Sequence, residues 1–152
     1  GEIVGTSAGL KRNEFLRSHL AAADFRLTFQ VKLTPNDGNS GLQLRSGPLP
    51  DGEMKGHQAD IGLGWWGKIY EENGRGLLGK EPGDSHVQAG AWNTYEVIAN
   101  KTRIETKING KRCNLIDDPT GAKRGIFALQ LHAGGAMEVR FRDLRLEVLD
   151  GD

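Results

Sequence analysis

Cysteine is nearly missing: Cys113 is the 1 thiol in 152 residues, so neither an internal disulfide framework nor a thiolate metal cluster can be built. Excess charge is missing too. Lys and Arg total 20 against 20 Asp and Glu, and no basic run supplies a stripe that would track phosphates, so no nucleic-acid partner is expected. No apolar run is long enough for a membrane-spanning helix, so no membrane insertion is expected. No basic stretch followed by an apolar one opens the sequence, so any export signal would lie outside these residues. His19, His57 and His86 fall in loops or strand ends, with no two at zinc-ligand spacing. No metal and no cofactor are expected. "DGN" (37–39) and "DD" (117–118) offer carboxylates in turns but lack the full calcium-loop pattern, which leaves a structural or site calcium open. Without a repeat, a low-complexity tract or a linker, residues 1–152 read as a single domain.

What the chain does have is alternation. Apolar and polar residues trade places with period two, and Gly, Asn and Asp interrupt them at short intervals, the pattern of many antiparallel strands. Strands are expected at 2–7, 14–17, 25–33, 41–46, 57–63, 68–72, 93–100, 103–108, 125–132 and 138–149. Asn109-Gly110 marks a hairpin turn, and "TPNDGNSG" (34–41) and "GPLPDGEMKG" (47–56) are loops. Leu16 and Leu20, four apart in "FLRSHLAAADF" (15–25), suit a short helical turn. The fold class that follows is all-β, a two-sheet antiparallel β-sandwich of the jelly-roll kind.

In such a sandwich the side of each strand that faces away from the core is ordinary surface unless the sheet carries a ligand. "FALQLHAGG" (127–135) puts Phe127, Leu129 and Leu131 on one side and Ala128, Gln130 and His132 on the other. Parity on "GLQLRS" sends Gly41, Gln43 and Arg45 outward; on "HQADIG" it sends out Gln58, Asp60 and Gly62. On "GKIYEE", an inward Ile69 leaves Lys68 and Tyr70 outward and puts Glu71 on the apolar side, unless a twist or bulge turns it round. The stretch "GWWGKIYEENGRG" (64–76) adds two tryptophans and a tyrosine beside carboxylates and Arg75, the ingredients of a sugar site: an aromatic face for the apolar side of a pyranose and bidentate groups for its hydroxyls. Of the tryptophans, Trp66 is the expected platform. A carbohydrate is the expected ligand. Against this stands the ordinary alternative for each group: tryptophans packed in the core, Arg45 and Asp60 as a surface ion pair worth about 0–1 kcal/mol, and His132 as a structural histidine.

Eight stretches, "GEIVG", "NEFLRS", "DFRLTFQVKL", "GNSGLQLRS", "KGHQADIG", "GKIYEENGRGLL", "AWNTYEVIANKTRIETKINGK" and "GIFALQLHAGGAMEVRFRDLRLEVL", span nearly the whole chain. In this order, and above all in the combination of "NSG.Q.R", "G.QADIG", "IYEE.GRG" and "ALQLHAG", the chain resembles the 3-keto-disaccharide hydrolase family. The resemblance implies a concanavalin A-like lectin/glucanase sandwich and a bacterial protein exported to the periplasm or cell surface. There are two departures. The family's strand and tryptophan ahead of "GEIVG" have no counterpart in these residues, which leaves an edge element open, and His57 stands where a tyrosine is expected.

The resemblance also implies a reaction: cleavage of 3-keto-glycosides or 3-keto-disaccharides. A ketone at C3 acidifies the C2 hydrogen, the carbanion spreads onto the keto oxygen as an enolate, and the glycosidic oxygen on C1 is expelled; hydration completes a net hydrolysis. Such chemistry needs a base near C2, a cation or donor near the enolate and an acid near the leaving oxygen. Conventional glycosidases, with carboxylates flanking the anomeric carbon, need no ketone. His132 is the expected base, because imidazole titrates near neutrality, with Asp60 or Glu71 orienting its ring or sharing the proton transfer. Arg45 is the expected enolate or hydroxyl clamp. Gln43, Gln58, Gln130 and Tyr70 are expected substrate-orienting partners, and Arg75 is expected to close the site from its glycine-bounded turn. The competing expectation is a lectin-like carbohydrate-binding module without turnover; a third is a domain that binds protein. A histidine clustered with two carboxylates favours the enzyme.

Overall fold

Phe25, Leu27, Phe29, Val31 and Leu33 alternate with polar neighbours, and in the computed structural model every one of them is buried. Residues 1–149 are described; 150–152, the end of the expected domain, lie outside the described residues. Twelve strands follow one another: β1 (Glu2–Ser7), β2 (Glu14–Ala22), β3 (Phe25–Thr34), β4 (Asn39–Pro48), β5 (Met54–Gly62), β6 (Ile69–Glu72), β7 (Gly76–Gly79), β8 (Asn93–Asn100), β9 (Arg103–Ile108), β10 (Lys111–Asp117), β11 (Gly125–Leu131) and β12 (Met137–Val148). They form two antiparallel six-stranded sheets, β1-β12-β3-β8-β9-β10 and β2-β11-β4-β5-β6-β7. The fold class is therefore the expected all-β sandwich. No helix among the described residues is long and apolar enough to cross a membrane.

The core lies between the sheets. From the first come the β3 series, Tyr95, Val97 and Ala99, Ile104 and Ile108, and Val139 and Phe141. From the second come Leu42, Leu44, Ala59, Ile61, Ile69 and Phe127. Phe29 stacks on Tyr95 within the first sheet with ring centroids 5.2 Å apart, and Phe25 meets Phe127 of the second sheet edge-on at 4.8 Å, an aromatic contact that ties the layers together.

Three expectations fail here for local reasons. The 15–25 stretch is strand, not helical turn, because β11 pairs with it from Gly125↔Ala22 to Leu131↔Glu14 and ladder pairing overrides a four-residue leucine spacing. The hairpin partners β7 and β10 were not expected, since "GLLG" and "KRCNLID" are short or poorly alternating. Arg45 does not point outward with Gln43. The β4–β5 register shifts between Leu44 and Gly47, and Arg45 sits in that bulge with φ 48°, so parity is lost there.

The bulge turns Arg45 toward the end of the sandwich, where the guanidinium is buried. Its Nε donates to the Ala23 carbonyl at 2.7 Å, Nη1 to the Lys101 carbonyl at 2.9 Å and Nη2 to Asp24 Oδ1 at 2.8 Å. One side chain thus joins the β2–β3 and β8–β9 turns to the opposite sheet. Asp24 Oδ1 also accepts the Lys101 backbone N–H at 2.9 Å. Arg45→Met leaves a half-buried carboxylate and two carbonyls without their donor, and stability measured by urea unfolding is expected to fall by about 3 kcal/mol. A loss below about 1 kcal/mol would show that water replaces the clamp.

Candidate active site on the outer sheet face

Cross-strand register decides which side chains share a face. Gly41 stands opposite both Asp60 and Gln130, and Gln43 stands opposite both Gln58 and Ala128. Tyr70 stands opposite Gln58. Residues directly opposite point the same way, so Gln43, Gln58, Asp60, Tyr70 and Gln130 all leave the sheet on the side away from the core. Gly41 makes their arrangement feasible: a Cβ there would lie 2.4 Å from Gln58 Cδ, so only glycine lets the glutamine lie across the sheet.

A chain of amides results. Ser46 Oγ donates to Gln43 Oε1 at 2.6 Å, Gln43 Nε2 to Gln58 Oε1 at 2.8 Å, and Gln58 Nε2 to Asp60 Oδ1 at 2.8 Å. Gln58 Nε2 also approaches Gln130 Oε1 at 3.3 Å. The last atoms of the chain are left over: Asp60 Oδ2 and Gln130 Nε2 are buried and have no partner. Asp60 is only 4% exposed. Burial is the main reason its carboxyl is pushed up to about 7; the bond from Gln58 opposes this, Glu72 adds to it and Lys68 opposes it.

The pocket above this floor has a volume of about 130 Å³ and is lined by Asn39, Gln58, Asp60, Trp65, Tyr70, Glu72 and His132. His132 Nδ1 lies 2.6 Å from the Ala133 carbonyl. A carbonyl only accepts, so Nδ1 carries the proton, and Nε2 of the neutral ring holds the free lone pair. Burial, together with the charge of Glu53, holds the Glu72 carboxyl above the usual carboxylate range, while His132 draws it down. Among the described residues no group of three or more His, Cys, Asp or Glu side chains is placed to hold a metal ion.

The wall containing Trp65 is fixed from the other sheet. In the β5–β6 turn, Trp65 and Trp66 both donate their backbone N–H to the Gly62 carbonyl at 2.8 Å. The Gly67 carbonyl accepts Thr106 Oγ1 at 2.5 Å and Asn114 Nδ2 at 2.7 Å. Tyr95 donates its hydroxyl to the Asp60 carbonyl at 3.1 Å. Trp65, 38% exposed, meets Tyr70 edge-on and carries the Lys68 ammonium 5.0 Å above its ring.

Four expected site residues lie elsewhere. Arg45 is the end clamp described above. Trp66 is a core residue, 1% exposed, donating Nε1–H to Asn36 Oδ1 at 3.1 Å. Glu71 keeps its inward parity, and Arg75 is bound to it. Arg75 also grips Asp118, Nη1 to Oδ1 at 2.8 Å and Nη2 to Oδ2 at 2.6 Å, and Asp118 Oδ2 meets His57 Nε2 at 2.7 Å. That network binds the β6–β7 turn to the loop after β10 and does not line the pocket. Asn39, Trp65 and Glu72 were missed. Parity contained two of them, since Asn39 shares a face with Gly41, and Glu72 with Tyr70; nothing in the sequence separates Trp65 from Trp66 within a turn.

A second depression, a groove of about 390 Å³ between the β1–β12 and β2–β11 edges, is lined by Ile3, Leu16, Leu20, Phe127, Leu144 and their neighbours. Its lining is apolar apart from Arg17 and Ser18, so it offers little to read sugar hydroxyls, and the carboxylates and His132 are not in it.

Fold and pocket define a two-sheet β-sandwich with a polar pocket on one outer face. The chain belongs to the 3-keto-alpha-glucoside-1,2-lyase-like domain family, whose sequence profile matches residues 1–147. No curated protein matches it. Solved structures share the fold. A protein of Parabacteroides distasonis ATCC 8503, provisionally assigned as a glycosyl hydrolase, is 16% identical with a TM-score of 0.73, covering 98% of this chain and 81% of its own. The carbohydrate-binding module CBM66 of Bacillus subtilis is 16% identical with a TM-score of 0.67, covering 95% and 85%. A Bacillus subtilis protein of unknown function with a galectin-like fold is 11% identical with a TM-score of 0.69, covering 96% and 88%.

Asp60 has a thermodynamic signature. Its folded carboxyl binds a proton more tightly than an unfolded one, so it draws stability from the protein as pH rises from about 4 toward 7, and the penalty stays constant above that. Asp60→Asn keeps an acceptor for Gln58 and removes the charge. Its melting temperature is expected to exceed the wild type at pH 8, by a difference worth on the order of 4 kcal/mol, and to converge on the wild type near pH 4. A difference independent of pH would show that Asp60 titrates normally.

Proposed function

We propose that the protein cleaves 3-keto-glycosides by elimination across C1–C2 followed by hydration. The observation that carries this is the pairing, in one pocket, of a histidine whose free nitrogen is a base with a carboxyl that keeps its proton up to about neutrality. His132 Nε2 takes the C2 proton. The C–H electrons move toward C3 as the enolate, whose oxygen accepts hydrogen bonds from protonated Asp60 Oδ2 and the Tyr70 hydroxyl, both groups of the pocket lining. Collapse of the enolate forms the C1=C2 bond and breaks C1–O1, and the imidazolium returns its proton to the departing oxygen. Water then adds across C1=C2, the hydroxyl to C1 and the proton to C2. The sum is one glycoside and one water giving a 3-keto sugar and an alcohol, with no redox change.

Arg45, expected as the enolate clamp, is not needed. The positive charge acting on Asp60 is Lys68, and neutral or protonated donors stabilise an enolate without a permanent cation, as a carboxylic acid does when an apolar site keeps it neutral. Trp65 and Tyr70 supply the apolar wall for the ring, and Asn39, Gln58 and Glu72 supply hydroxyl partners.

Incubated with 3-keto-trehalose and with trehalose, the protein is expected to release sugar from the oxidised compound alone, with a transient unsaturated keto sugar visible by mass spectrometry. Binding of 3-keto-trehalose without release would assign a non-catalytic carbohydrate-binding module. Release from both compounds would point to conventional glycosidase chemistry. In the active case His132→Ala is expected to lower kcat about 10²–10⁴-fold. The reaction needs Asp60 protonated, so kcat/KM is expected to fall above about pH 7, and Asp60→Asn is expected to lose that limb. A limb unchanged in Asp60→Asn would remove Asp60 from the donor role.

A further inference from the structure

The pocket does not end at His132. A shallow trough of about 500 Å³ adjoins it and shares two of its residues, Asn39 and His132. Beyond these two, the trough is bounded by the 35–38 turn and the 133–137 segment, with Asp37 as its other polar side chain and Gly38, Gly134, Gly135 and Ala136 among the rest. We propose that this trough receives the leaving group of the substrate, and that it accepts that group by shape with little regard to its hydroxyl pattern. The inference rests on the elimination chemistry proposed above, and it extends that chemistry to the second ring.

Position supports the assignment. The pocket is the smaller of the two, about 130 Å³ against about 500 Å³, and the boundary with the trough is drawn by Asn39 and His132. A glycosidic bond lying across that boundary places C1–O1, and the adjoining C2, beside His132, while C3 lies on the Asp60 and Gln130 side. The base and the leaving oxygen then meet at the same imidazole, which the proton return requires. A ligand turned the other way would put the keto group in the trough, away from Asp60, which does not line it.

Chemistry supports the permissiveness. Sugar epimers are told apart by hydroxyl orientation, and discrimination of that kind comes from side chains whose hydrogen bonds are lost with the wrong isomer. The glycine, alanine and proline side chains that make up most of the trough cannot supply them, which leaves Asp37 beside the shared Asn39 and His132. The trough is also built in advance of any ligand, so it has little need to order on binding. Leu10 and Gly134 exchange backbone bonds of 3.0 and 2.9 Å, Asn13 Oδ1 accepts the Ala133 N–H at 2.9 Å, and the Gly38 N–H reaches the Pro35 carbonyl at 3.0 Å.

Gly135 and Ala136 are exposed. A Cβ on Gly135 would meet nothing within 4 Å, and its backbone is not left-handed, so a large side chain enters there without strain. The test measures kcat/KM of wild type, Gly135→Trp and Ala136→Trp on 3-keto-trehalose and on methyl 3-keto-glucopyranoside, together with Kd for both by calorimetry. In at least one variant the ratio of 3-keto-trehalose to methyl glycoside, in kcat/KM and in 1/Kd, is expected to fall tenfold or more. Wild type is expected to treat 3-keto-glucosides with leaving glucose, galactose or mannose within tenfold of one another. A ratio within twofold of wild type in both tryptophan variants overturns the placement, and a hundredfold preference among the leaving sugars overturns the permissiveness. If the wild type binds both compounds but cleaves neither, the proposed reaction fails while the Kd ratio still decides the placement. Failure to bind either compound overturns both.

Discussion

Gln58 lies flat across Gly41, and the site depends on that contact. With a side chain at position 41 the glutamine has to lift off the sheet, since even one carbon would come within 2.4 Å of it. Lying down, it spans three strands: its carbonyl takes a hydrogen bond from Gln43 on β4, and its amide nitrogen reaches Asp60 on its own strand and Gln130 on β11. An amide has two donors and an acceptor with a fixed polarity. Once Ser46 donates to Gln43 and Gln43 to Gln58, the chain can only continue as a donor toward Asp60. The network therefore ends by giving Asp60 one hydrogen bond and leaving its second oxygen bare.

One hydrogen bond is too little to keep a buried carboxylate charged. A carboxylate receiving two or three donors, or an arginine, drops far below its ordinary range; one that is desolvated with a single neutral donor rises. Desolvation thus sets the proton on Asp60 more than any neighbouring charge does, and the single bond from Gln58 does not reverse it. The unpaired Gln130 nitrogen is the same kind of remainder. Buried polar atoms without partners are destabilising by about 1–3 kcal/mol each, and Asp60, which lines the pocket, has its bare oxygen where a ligand can complete it.

Most of this surface was legible from parity alone. Strand alternation placed Gln43, Gln58, Asp60 and Gln130 on one face, and the register Gly41↔Asp60 and Gly41↔Gln130 brought three strands together there. Parity failed where a residue was inserted or where no strand existed. Arg45 sits in a bulge, and a single extra residue reverses every assignment beyond it. Trp65 and Trp66 sit in a turn, where alternation has no meaning, and which of them is buried follows from how Thr106 and Asn114 hold Gly67 from the other sheet, contacts invisible in a linear chain. Glu71 and Glu72 were separable, because Tyr70 fixes the phase; Glu71 could join the site only if a twist or bulge turned it round, and its pairing with His57 keeps it inward.

Among the described residues two clusters join a histidine with carboxylates, and the contrast between them explains why the second suits proton transfer. In the first, His57, Asp118 and Glu71 converge on Arg75. The guanidinium holds Asp118 and Glu71 below the usual carboxylate range, so neither exchanges protons near neutrality, and both carboxylates are already bound to it. Such a cluster fastens two loops. In the second, His132, Asp60 and Glu72 share a pocket with no arginine among its lining residues, and both carboxyls are held above that range. Arginine is always charged, and its planar fork satisfies two carboxylates at once, so where it stands it converts titratable groups into structure. The bulge at Arg45 and the inward parity of Glu71 therefore matter to the site through what they keep away from it. By steering both guanidinium groups to the ends of the sandwich, they leave the outer face with carboxyls that can still hold and release a proton.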